Sequence, residues 1–94
     1  MSRTTSDEFN KLWDELPNLK EKPTQDEQLS LYAYGKIAKG ADFSEAKKPG
    51  MMDFAGKYKY NKWESYVKEE ITPEVAEEEY IKLANELIER IGTK

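Results

Sequence analysis

Proline placement constrains this chain more than any other feature. The four prolines, at 17, 23, 49 and 73, stand at the edges of segments whose apolar residues recur at helical spacing. A proline inside a helix removes a hydrogen bond and drives its ring into the preceding turn, so each one marks a boundary. Pro73 gives the clearest start. Thr72 before it is a capping residue, Glu74 follows, and proline at the first helical position gives up no helical hydrogen bond. Beyond it Ala76, Tyr80, Leu83, Ala84, Leu87, Ile88 and Ile91 share one stripe. Glu77, Glu78 and Glu79 lie toward the positive end of the macrodipole as a solvated face, Arg90 lies near the negative end, and Gly92 is the stop. This predicts a helix over 73–91.

The same reading predicts three earlier helices. Thr5 with Glu8 offers a capping box ahead of Phe9, Leu12, Trp13 and Leu16, which recur at i, i+3, i+4 and i+7; a helix near 5–16 then ends at Pro17. Thr24 after Pro23 pairs with Glu27 in a second box, for a helix near 24–39 closed by Gly40. Ala41 to Met52 contains the turn dipeptide Pro49-Gly50 and no sustained period, so it reads as a long surface connection. A helix near 53–68 follows, with Tyr60, Trp63 and Val67 facing inward and Gly56 as a close-approach point. The expected fold is all-α, helix on helix. Residues 1–94 form one domain, since a second core would leave each half too small to fold alone.

Composition narrows the chemistry. The sequence has no cysteine and no histidine. That removes thiolate nucleophiles, the Ser-His triad, and Cys- or His-ligated metal, so a non-catalytic protein without metal or cofactor is expected. A net charge of −4 argues against nucleic acid as a partner. No apolar run is long enough to span a membrane and the start, Met1 to Ser6, lacks the apolar core of a secretory signal, so no stable membrane insertion and a cytoplasmic location are expected. Between 36 and 62, however, seven lysines (36, 39, 47, 48, 57, 59, 62) face only Asp42, Glu45 and Asp53. An anionic partner fits there, and so does a merely solvated lysine face.

The second predicted helix is apolar on two sides. Leu29, Tyr32, Ala33 and Ile37 share one; Leu31, Tyr34 and Ala38 lie roughly opposite. Lys36 sits one turn after Tyr32. It either lays its stem over apolar neighbours with its head in water, or holds an anion beside an aromatic face, as an adenosine-phosphate headgroup would require. Lys59 stands one turn before Trp63 and borders another apolar stripe. By periodicity Tyr80, Phe9, Trp13 and Leu16 are core residues first and ligand wall second.

Three blocks in order carry a resemblance. They are Lys22-Pro23-Thr24 leading into Leu29-Ser30-Leu31-Tyr32-Ala33-Tyr34-Gly35-Lys36; Lys48-Pro49-Gly50-Met51-Met52-Asp53-Phe54 with Gly56-Lys57-Tyr58-Lys59-Tyr60-Asn61-Lys62-Trp63; and Ala76 to Tyr80 running on into Ile81. From Phe9 to about Ile91 the chain resembles the acyl-CoA-binding protein family. The resemblance implies an up-down-down-up four-helix bundle that binds long-chain fatty acyl-CoA non-covalently, as an intracellular carrier and pool former. It also implies a monomer that makes transient contact with acyl-CoA-using enzymes. Carried over by position, Tyr32 stacks on adenine, Lys36 and Lys59 bind the 3′-phosphate region, and Tyr80 contacts the ligand from the last helix. Ala33, Tyr34 and Gly35 complete the headgroup set, and the acyl chain lies near Leu29 and Pro23.

The chain departs from the family pattern at three places. Gly35 stands where the family often has a tyrosine, Ala55 where it usually has a lysine, and Pro17 or Asn18 where it has a basic residue. The loop before Pro49 is one residue longer, so no role is carried to Lys47 or Lys48. Two other functions fit the residues less closely: a helical module docking an acidic partner through its lysines, and a thioesterase using a carboxylate base.

Overall fold

Each α-helix opens on a side chain that accepts a hydrogen bond from an otherwise unpaired amide. In the computed structural model, which describes residues 5–94, α1 spans Asp7–Glu15, α2 Gln25–Ala38, α3 Phe54–Lys68 and α4 Pro73–Ile91. The Met1-Ser2-Arg3-Thr4 stretch read above for a targeting signal lies outside the described residues. Thr24 and Glu27 close both arms of the expected capping box, Thr72 accepts from the Val75 amide, and Asp53 accepts from the Gly56 amide.

At α1 the cap is Ser6, not Thr5: Ser6 Oγ accepts from the Phe9 amide at 3.2 Å. Glu8 is thereby the second helical residue and cannot reach back as a box requires; Thr5 bonds the Asn10 side chain instead. Pro17 does end α1, within a short 3₁₀ turn over Leu16–Asn18. Gly40 and Gly92, at φ of 79° and 85°, take the left-handed backbone that stops α2 and α4.

Cross-helix pairs fix the directions. Asp26 meets Lys62 and Ser30 meets Tyr66, so α2 and α3 run parallel. Glu27 meets Arg90, and Gly35 lies beside Tyr80, so α2 and α4 run antiparallel. Phe9 and Trp13 lie against Tyr80 while Leu19, past α1, pairs with Thr93, past α4, so those two run parallel. The order is up-down-down-up. Two consecutive parallel helices force the chain back along about 21 Å of α2, which is why residues 39–53 form a long crossover with only one 3₁₀ turn, Phe43–Glu45, inside it.

α2 is the central helix, packed on α4 and α3, while α1 packs on α4. Its two apolar sides follow from that position. Ala33, Ala38, Ala76 and Ala84 are fully buried, small enough to let the α2 and α4 axes approach, and Phe9 and Leu87 are the largest side chains fully enclosed. Ser30 is the buried polar residue of this region, and its hydroxyl bonds Tyr66 at 3.1 Å.

On α3 the inward stripe is rotated from the expected one. Trp63 is buried, but Val67 is exposed, and Tyr66 takes its place by stacking on Tyr34 with ring centres 4.6 Å apart. Gly56 is close to its own cap, not to another helix: a Cβ there would stand 2.3 Å from Asp53 Oδ2. The chain end is tied down by a bridge that periodicity gives no hint of, with the Lys20 amide donating to Gly92 and the Lys94 amide to Asn18.

Candidate functional site

Two clefts meet at Tyr32 and Lys59. The first, about 750 Å³, lies between the second half of α2, the crossover and the start of α3. Tyr32, Lys36, Lys39, Lys47, Lys48, Lys59 and Trp63 line it, and so do Asp42, Glu45 and Asp53. The second, about 460 Å³, lies between α1 and its turn, α2 and α4, and is mostly apolar: Trp13, Leu16, Leu19, Pro23, Leu31, Tyr32 and Tyr80, with Lys22 and Lys59 at its edge.

Two ammonium groups approach the ring of Tyr32. Lys36 Nζ is 5.6 Å from the centre of its ring and Lys59 Nζ 5.4 Å, so lysines from two helices do converge on one aromatic. Trp63 backs the cluster, with its ring edge-on to Tyr32 at 6.4 Å and Lys36 Nζ 5.8 Å away. Phe43 from the crossover closes over Trp63 at 5.0 Å and Tyr60 at 4.9 Å. The buried Trp63 indole N–H has no acceptor among the described residues.

Two of the three carboxylates on this cleft are occupied locally. Asp42 accepts from the Ser44 hydroxyl at 2.7 Å and amide at 2.9 Å, bonds that hold its pKa below the usual value. Asp53 accepts from the Gly56 amide. Among the described residues no ion pair joins Lys36, Lys39, Lys47, Lys48 or Lys59 to a carboxylate. With five lysines to three carboxylates and no ion pair between them, the cleft presents net positive charge beside an aromatic face, an arrangement suited to a polyanion carrying a flat ring. Among the described residues there is also no cluster of His, Cys, Asp or Glu able to hold a metal.

The other residues singled out from sequence are distributed unevenly. Tyr80 is buried with its ring against Phe9 at 4.5 Å, and it still reaches the wall of the apolar cleft; burial pushes its phenol pKa up. Pro23 lines the same cleft. Leu29 lies off it, half-buried, and Leu31 contributes there instead, because Leu31 is the α2 residue turned toward α1 and Pro23. Ala33 is enclosed in the core, and Tyr34 is held by Tyr66, so neither lines either cleft. Gly35 is buried beneath Trp13, whose Cζ3 would lie 2.8 Å from a Cβ at that position. Sequence reasoning placed Lys39 in the basic stretch without giving it a ligand role of its own, and treated Trp13 as core first; the lysine's place one turn beyond Lys36 was the available signal.

The family profile described as acyl CoA binding protein matches residues 6–84. An acyl-CoA-binding protein of Saccharomyces cerevisiae is 38% identical over 87 residues, covering 93% of this chain and 93% of its own. A homologue of Manduca sexta is 33% identical over 86 residues, covering 92% and 93% respectively. Among solved structures, Oryza sativa acyl-CoA-binding protein 2 superposes with a TM-score of 0.75 at 24% identity, over 88% of this chain and 89% of that one, and so shares the fold.

Proposed function

The chain belongs to the acyl-CoA-binding protein family, and from that premise we propose that it binds long-chain fatty acyl-CoA thioesters without covalent chemistry, as an intracellular carrier and pool former. The observation that carries the reading is the convergence of Lys36 and Lys59, from two helices, on the ring of Tyr32, without a carboxylate partner among the described residues. Tyr32 offers its ring to adenine, the two ammonium groups take the 3′-phosphate region, and Tyr80 completes the contact from α4. The acyl chain lies along apolar surface near Pro23 and Leu31, with Leu31 in the place expected of Leu29. Binding is the whole activity in this reading, with no bond made or broken.

The energetics divide between the two ends of the ligand. Burying a methylene is worth about 0.8 kcal/mol, so a sixteen-carbon chain offers on the order of 10 kcal/mol before ordering costs. Charge-assisted phosphate bonds add about 1.5–3 kcal/mol each and select CoA esters over free acids. The protein works as a cytoplasmic monomer that hands its ligand to acyl-CoA-using enzymes by transient contact; no helix among the described residues is long and apolar enough to cross a membrane.

Titration calorimetry with palmitoyl-CoA, CoA and palmitate tests this. Palmitoyl-CoA should bind far more tightly than either of the others; equal affinity for palmitate and palmitoyl-CoA would sink the reading.

A further inference from the structure

We infer that Trp13 is a specificity-determining contact for the nucleotide end of the ligand, an aromatic platform on which the adenine packs opposite Tyr32. The inference rests on the acyl-CoA reading above. Trp13 belongs to the stripe that buries Phe9 and Leu12, yet it is 41% exposed and forms part of the apolar cleft wall. Its seat is specific. The edge of the indole drops into the notch left by Gly35, where a Cβ would stand 2.8 Å from Cζ3, so only glycine admits the ring in this position. The ring also lies nearly parallel to Tyr80, with centres 5.8 Å apart and planes 23° from one another.

An indole held this way, partly open to solvent, is more than a core residue requires. Glycine inside α2 costs helix stability, and here that cost maintains a large flat ring facing the cleft. Lys39 strengthens the assignment. It lines the basic cleft, yet its ammonium stands 3.5 Å from the centre of the Trp13 ring, so one cation touches both the aromatic wall and the phosphate region. A phosphate entering the basic cleft competes for that ammonium and uncovers the ring as the base arrives. A hydrocarbon chain gains only area from such a surface, whereas a purine also gains stacking.

The test compares palmitoyl-CoA with palmitoyl-4′-phosphopantetheine, which lacks the adenosine portion, on the wild type, Trp13→Ala and Trp13→Phe. Trp13→Ala should weaken palmitoyl-CoA by about tenfold and leave the phosphopantetheine thioester nearly unchanged, with Trp13→Phe recovering most of the loss. An equal loss for both ligands, or no loss for either, would overturn the inference. Failure of the wild type to bind palmitoyl-CoA would instead overturn the functional reading beneath it. Should Trp13→Ala not fold, Trp63→Phe leaves Trp13 as the sole tryptophan of the two in the chain. Adenosine 3′,5′-bisphosphate should then quench or shift its emission, and saturation seen by calorimetry without any emission change would overturn the inference.

Discussion

α2 serves two unlike regions. On one side it packs against α4, where Ala76, Ala84 and Leu87 are fully buried, and its own Ala33 is fully enclosed. On the side facing the crossover and the front of α3 it presents Tyr32, Lys36 and Lys39 to an open cleft. The first region is closed by small side chains that let helices touch; the second is lined by aromatic rings and ammonium groups. A single helix can therefore anchor the fold and build the site, provided the two demands fall on different flanks. Changes in one region should then affect stability, and changes in the other should affect binding.

The largest expected effect lies in the closed region. Leu87→Ala should lower unfolding free energy by about 2–5 kcal/mol in chemical denaturation, while the folded fraction keeps its affinity for palmitoyl-CoA. A large loss of affinity in the folded fraction would show that the two flanks are coupled.

Next comes the open region. Lys36→Ala should weaken palmitoyl-CoA by about tenfold to a hundredfold in calorimetry, as expected for loss of one charge-assisted bond, with a denaturation midpoint close to wild type. Retained affinity would favour a protein-docking role for the lysines over a nucleotide site.

The smallest effect sits where α4 ends against the start of α2. Glu27 accepts from the Thr24 amide at 2.9 Å and from Arg90 at 2.6 Å, and these partners hold its carboxyl below the ordinary 4.5. A lowered folded-state pKa means that the stabilisation is complete above about 4.5 and fades as pH falls through the lowered value. Glu27→Gln should reduce the thermal midpoint slightly at neutral pH and flatten its decline between pH about 5 and 3. An acid limb identical to that of the wild type would mean the clamp contributes nothing.

Much of this was legible in the sequence because its causes are local. The Thr24–Glu27 box, the Thr72-Pro73 start and the two glycine stops each depend on residues within one turn of one another. Errors arose where two local solutions were nearly equal. Thr5 and Ser6 are both capping residues one position apart, and Val67 and Tyr66 are adjacent candidates for the same inward position. In each case an interaction from outside the pattern decided: the Phe9 amide for Ser6, and the Ser30 hydroxyl with the Tyr34 ring for Tyr66.

The site divides in the same way. Tyr32, Lys36 and Lys59 could be named from ordered motifs and helical spacing, since the spacing puts a lysine one turn from an aromatic on α2. That the two lysines reach the same ring could not be, because it depends on α3 lying parallel to α2 at a particular register. By itself the sequence determined the existence and order of the helices and most of their ends, together with the family and its ligand class. Only the tertiary structure decided that Trp13 crosses over Gly35, that Leu31 faces the apolar cleft, and that the chain end pairs with the segment after α1. Caps and periodicity act within a few residues, whereas the neighbour that covers a given helix face is fixed only once distant segments have packed.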